Sequence, residues 1–173
     1  MQPKTKDSSN IKEEKPSFFP VTSFIKWQLF EIKNGSINPI KIVKVKNKID
    51  SNWVKMELLE NEVADFLSPE IDSVNMISLF KESKFLDQTL DAVTLTYEPI
   101  NSLPDSVMLR HWDIYINPET GEVTRLYMLK KISPAITQQL TWQVGKSCSI
   151  VTISEDEKGN AEIEKEVTIK WSL

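Results

Sequence analysis

From Leu90 to Trp171 the sequence keeps returning to a period of two, and this alternation limits the fold more than any other feature. Successive side chains of a strand point to opposite faces, so an alternating stretch has one face to bury and one to leave in water. Val93, Leu95 and Tyr97 alternate with Thr94, Thr96 and Glu98, and Met108, Trp112, Ile114 and Ile116 oppose His111 and Asp113. Asn117-Pro118-Glu119-Thr120-Gly121 then forms a turn, in which proline pre-sets φ and glycine can take the left-handed position. Val123 to Ile132 returns as the second arm of a hairpin. Leu140, Trp142 and Val144 alternate up to Gly145, and Ser149, Val151 and Ile153 resume the pattern after Ser147. The last strand sets Ile163, Val167, Ile169 and Trp171 against Glu162, Glu164, Glu166 and Lys170. A sheet of this kind has an apolar face that other elements must cover.

The cover comes from the N-terminal half. Thr22 or Ser23 can cap a helix running through Lys33 and ending at Asn34-Gly35, with Phe24, Ile25, Gln28, Leu29 and Ile32 as its buried face. A strand is the alternative there, because Ile25, Trp27 and Leu29 also alternate. Pro39 to Lys46 is β-branched and reads as a strand. Leu59, Val63, Phe66 and Leu67 recur at helical spacing, with Ser51 or Asn52 as cap and Ser68-Pro69 as stop. Ser73 precedes a further short helix carrying Ile77 and Phe80 and ending near Ser83. Helices and strands in separate runs imply an α+β fold. The expectation is N-terminal helices packed on one face of a curved antiparallel sheet of about six strands, cone-shaped or half-barrel. Residues 1–17 are polar, with Ile11 as their one aliphatic side chain, and are expected to be a disordered tether ahead of a single domain over 18–173.

The residue inventory removes several functions. With 21 basic and 25 acidic residues the formal charge is -4, which gives no positive field for nucleic acid. The local run Lys41, Lys44, Lys46 and Lys48 reads as the wet face of a strand. One cysteine, Cys148, excludes an internal disulfide, and His111 is the sole histidine, so no zinc-sized Cys/His set can be assembled. Glu62 and Asp65 stand one turn apart but read as surface carboxylates, and neither metal nor cofactor is expected. The four glycines form no phosphate loop, and no serine sits in a nucleophile elbow. No apolar run reaches the roughly 18 residues of a membrane span. His111 and Asp113 share a strand face, where Asp113 would orient the imidazole if the face lined a cavity, with Cys148 on a neighbouring strand as a possible nucleophile. The alternative leaves both in water beside Arg110 while Cys148 packs as a small hydrophobe. No catalytic residue is assigned. The candidate ligand-contacting residues are His111, Asp113, Tyr127 and Trp142. Trp112, Trp142 and Trp171 either fill the core under the helices or line a hydrophobic pocket.

The block Phe18-Phe19-Pro20-Val21-Thr22-Ser23-Phe24, the stretch Phe85-Leu86-Asp87 before a Thr-rich strand ending Thr96-Tyr97, and the close from Trp142 through Lys146-Ser-Cys-Ser-Ile-Val-Thr-Ile153 together resemble mature regions of uncharacterised bacterial secreted lipoproteins. The resemblance implies a cell-envelope location, periplasmic or at the outer membrane, but no activity. The lipidated cysteine it calls for is absent, with Met1 in its place, so membrane attachment is expected only through a lost lipid anchor. The functional expectation is a non-catalytic, monomeric envelope module that binds an apolar small molecule or a protein partner. Two alternatives stand beside it: a small enzyme with a His111/Asp113 pocket, and a cytoplasmic inhibitor or immunity-type protein.

Overall fold

The alternating half of the chain forms an antiparallel ladder, and the polar N-terminal half contributes more strands to it than its pattern suggests. In the computed structural model, residues 15–35, 37–89 and 91–171 are described. Strands β1 (Ile40–Val45), β2 (Lys48–Trp53), β3 (Phe80–Asp87), β4 (Ala92–Pro99), β5 (Leu109–Ile116), β6 (Val123–Ser133), β7 (Ile136–Gln143), β8 (Ser147–Glu155) and β9 (Ala161–Lys170) make one sheet, ordered β2-β1-β9-β8-β7-β6-β5-β4-β3. Every neighbouring pair is antiparallel, and β1 beside β9 is the one pairing distant in sequence. The sheet does not close, leaving β2 and β3 as its edges. Helix α1 (Val21–Asn34), a 3-10 turn at Met56–Leu58, and the single-turn helices α2 (Leu59–Glu62) and α3 (Ala64–Leu67) complete the α+β architecture.

Nine strands replace the expected six. The six strands anticipated from Leu90 onward are β4 to β9, and β1 falls where its β-branched run placed it. The other two overturn helical expectations. The segment meant to be a helix from Ser73 to Ser83 instead turns through Met76 to Leu79, where Phe80 N–H donates to Met76 O, and then runs as β3. Ile77 and Phe80 have helical spacing, but β3 gains a full ladder with β4, from Phe80 opposite Pro99 to Asp87 opposite Ala92. An edge strand has little to bury, so its side chains need not alternate. Ser51 and Asn52, read as helix caps, lie inside β2, which pairs with β1 across a turn where Lys46 takes φ 53°. The helix over Leu59 to Leu67 is broken at Val63 (φ -110°, ψ 14°), although Leu59, Val63 and Phe66 are buried as its spacing required. The tether expected over 1–17 lies outside the described residues except for 15–17, which are exposed and in no regular element.

The core lies between α1, the α2–α3 turns and one face of the sheet, as a single cluster. Val21, Ile25, Gln28, Leu29 and Ile32 form the buried stripe of α1, while Phe24 is only half-buried. Thr22 fixes the helix start: its Oγ1 accepts from Ile71 N–H at 2.8 Å and its own N–H donates to Ile71 O at 3.1 Å. On the sheet side, Tyr97 stacks on Trp112 with ring centroids 4.5 Å apart and planes 7° from parallel, and Phe18 and Phe80 meet Trp112 edge-on. Phe66 packs edge-on against Trp142 at 5.3 Å, and Trp142 lies tilted against Trp171 at 5.0 Å. Burying each such aromatic stabilises the fold by about 1.5–3 kcal/mol. A charged side chain is buried on this face. Lys130 is buried, and its ammonium donates to the backbone carbonyls of Asp65 and Ser68, tying the α3 turn to β6. Lys41, expected on a wet face, lies beside Ile169 and pairs with Glu62 of α2.

Candidate functional site

Register assigns the candidate residues to two different faces. Asp113 pairs with Thr96 on β4 and with Tyr127 on β6, while His111 stands two residues away on the same side. This outer face is turned away from the helices. His111 Nε2 lies 2.8 Å from Asp113 Oδ2, and Thr96 Oγ1 donates to Asp113 Oδ1 at 2.7 Å. Asp113 is 9% exposed, so its two oxygens are engaged by neighbours rather than by bulk water. The His111 and Tyr127 rings meet edge-on at 6.3 Å. The hydrogen bond to Asp113 holds the His111 pKa above its ordinary value against partial burial, with the charges of Asp113 and Glu98 adding to the rise. Burial also raises the Tyr127 hydroxyl, helped by the charge of Asp113. Three of the four candidates thus form one polar cluster.

The fourth does not join it. Trp142 points to the opposite face and is fully buried between Phe66 and Trp171. Cys148 lies opposite Trp142 on that same helix-covered face, 2% exposed, with its thiol pushed up to about 12 by burial. A thiol with that pKa is almost wholly protonated at neutral pH, and the thickness of the sheet separates it from His111. A Cys148/His111 nucleophile pair is therefore excluded. The outer face is less wet than simple alternation implies: Thr94 and Ala92 are buried, because Phe85 and Tyr115 flank Thr94 across the ladder.

Two clefts sit at the β7–β8 end of the sheet, on either side of the turn through Val144 to Lys146. One, of about 310 Å³, lies between the C-terminal half of α1 and this turn, with Trp27, Ile32, Ile37 and Trp171 among its walls. Its surface is mainly apolar. Trp27 is 53% and Ile37 45% exposed, and the buried indole N–H of Trp171 has no hydrogen-bond partner among the described residues. The other, of about 480 Å³, lies at the end of the outer face and includes Tyr115, Arg125 and Lys146. Neither cleft is lined by His111 or Asp113. The sequence left Trp171 open between core and pocket and showed Trp27 only in an alternating run with Ile25 and Leu29, because the cleft depends on where α1 crosses the end of the sheet. Among the described residues, no group of three or more His, Cys, Asp or Glu side chains is placed to hold a metal ion, and no helix is long and apolar enough to cross a membrane. No family model, curated protein or solved structure matches the chain.

Proposed function

We propose that this chain is a non-catalytic binding module, and that the cleft between α1 and the β7–β8 turn receives an apolar group, either a small molecule or a side chain of a protein partner. The observation that carries this reading is the pairing of a half-exposed Trp27 and Ile37 over a floor that includes Ile32 and Trp171. Large apolar side chains left in water around a concavity lose hydration cost when a ligand covers them, and binding sites are commonly built that way. The site is not placed at the centre of the sheet, where Trp112, Trp142 and Leu140 are fully buried and fill the space themselves. The half-barrel form of the fold, an open sheet bent over α1, goes with this reading. The envelope location belongs to the same proposal and rests on the lipoprotein resemblance of the segments at 18–24, 85–97 and 142–153.

The test is a titration with N-phenyl-1-naphthylamine, an uncharged apolar fluorophore. Saturable binding is expected, weakened about tenfold by Trp27→Ala or Ile37→Ser, since each removes a side chain's worth of apolar contact. Both positions are largely exposed, so far-UV circular dichroism should be unchanged. Absence of saturable binding, or binding indifferent to Trp27→Ala, overturns the reading.

A further inference from the structure

The outer-face cleft at the same end of the sheet has a different chemistry. Arg125 of β6 is directly opposite Tyr115 of β5, and its guanidinium carbon lies 3.9 Å from the centre of the Tyr115 ring. A guanidinium laid flat on an aromatic ring is held in place by one face while its N–H donors, which lie in its plane, remain free. Among the described residues, no carboxylate comes within ion-pair distance of Arg125 and no acceptor takes its side-chain hydrogens. Arg125 is half-exposed, so these donors open onto the cleft and are available to a ligand acceptor.

Two neighbours add donors to the same cleft. Gln143 is opposite Arg125 on β7, and its Oε1 accepts from Ser147 Oγ at 3.3 Å, which leaves its Nε2 hydrogens as the free end of the amide. Lys146 borders the cleft from the β7–β8 turn, where Gly145 takes φ 72° and lets the chain reverse tightly enough to bring Lys146 round. Glu122 is the one carboxylate on the rim, so the formal charge of the lining is +1 in a protein whose formal charge is -4. Val123 and Ala92 supply apolar wall beside the charged group.

We infer that this cleft binds the carboxylate or phosphate of a small anionic molecule, with Arg125 as a bidentate anchor preset by Tyr115, Lys146 and Gln143 as secondary donors, and the body of the ligand against Val123 and Ala92. The volume of about 480 Å³ suits a ligand of a dozen or so heavy atoms. The site is separate from the apolar cleft, with which it shares only Val144 in its lining, so either can fail without the other.

Nuclear magnetic resonance on the isotope-labelled protein tests this with benzoate and phenyl phosphate as probes and sodium chloride at matched ionic strength as the control. The expected result is saturable shifts at Arg125 Nε–H, the Tyr115 ring and the Gln143 amide with at least one probe, the tighter of the two identifying the anion. Arg125→Gln should weaken binding at least about tenfold, the loss that follows removal of a charge-assisted partner. Tyr115→Leu, which keeps the charge but removes the shelf, should weaken it less. Shifts that chloride reproduces, or that survive Arg125→Gln in a protein whose remaining spectrum is unchanged, overturn the assignment.

Discussion

His111 Nε2 and Asp113 Oδ2 lie 2.8 Å apart on the face of the sheet away from the helices, and Thr96 holds the other oxygen of the same carboxylate. The imidazole is therefore a fixed member of a three-residue network rather than a free surface group. Its pKa is raised, first by the hydrogen bond to Asp113 and then by the charges of Asp113 and Glu98, with partial burial opposing.

The consequence for stability has a definite sign. A histidine whose folded pKa exceeds its unfolded value of about 6.5 stabilises the fold below that value, and the contribution is lost as pH rises through the folded pKa. Urea denaturation of the protein and of His111→Gln across pH 5 to 9 should show the stability gap narrowing toward high pH. A direct imidazole titration by proton resonance should place His111 above the unperturbed value, and Asp113→Asn should bring it down. A titration at or below the ordinary value, or a gap that widens with pH, contradicts the network.

The core aromatics and the exposed ones should behave oppositely on truncation. Phe66 is 1% exposed and packed edge-on to Trp142, so Phe66→Ala removes buried area and opens a hole beside the indole, at a cost of about 3–5 kcal/mol. Trp53, on edge strand β2, is 61% exposed, and Trp53→Ala should change stability by no more than about 0.5 kcal/mol. Denaturant midpoints compare the two directly, and the near-ultraviolet dichroism of Trp142 should change only in the first.

Much of this arrangement was legible in the alternation, and the reasons for the exceptions are physical. A period of two is strong where one face of a strand is buried and the other wet, and β6 and β7 show it because α1 and the α2–α3 turns cover one side only; in β8 the buried residues are Cys148 and Ile150 rather than the expected Ser149, Val151 and Ile153, and in β9 Ile163 is exposed instead of joining the apolar face. The period fades at β2, all six residues of which are exposed, and at β3, where only Phe80 is buried, because edge strands gain most of their stability from a ladder that leaves no mark on side-chain pattern. The candidate site was legible only as a pair: His111 and Asp113 two apart on one strand must share a face. That Trp142 and Cys148 belong to the other face follows from their own even-numbered register with Leu140 and Ile150, a relation that needs the strand pairing. The Arg125–Tyr115 stack joins two strands and has no local signal.

Cys148 supplies a test of that pairing. Its thiol is buried and pushed up to about 12, so thiolate is scarce at neutral pH and reagents cannot reach it. Reaction with 5,5′-dithiobis(2-nitrobenzoate) under native conditions should be slow and limited by unfolding, becoming fast once urea passes the transition. Rapid labelling of the folded protein would place the cysteine on the other face and shift the register of β8 by one residue.

Lys130 carries the last prediction. Its ammonium is buried and held by two backbone carbonyls from the α3 turn, those of Asp65 and Ser68, and burial lowers its pKa, with the charge of Asp65 opposing. Lys130→Ala strands both carbonyls and leaves a cavity, so it should cost about 2–4 kcal/mol. Lys130→Met strands the same carbonyls but fills the volume and removes a buried charge, so it should cost less than alanine. The pH dependence distinguishes charge from shape. Because the folded pKa lies below the unfolded one, the unfolded chain binds more protons between the two values, and the wild type should gain stability relative to Lys130→Met as pH rises from the folded pKa toward about 10.5. Chemical denaturation of the two variants and the wild type between pH 7 and 10 measures both effects. Equal losses for alanine and methionine, with no pH dependence, would mean that Lys130 reaches water and that the α3 turn is held to β6 by Phe66 and its neighbours alone.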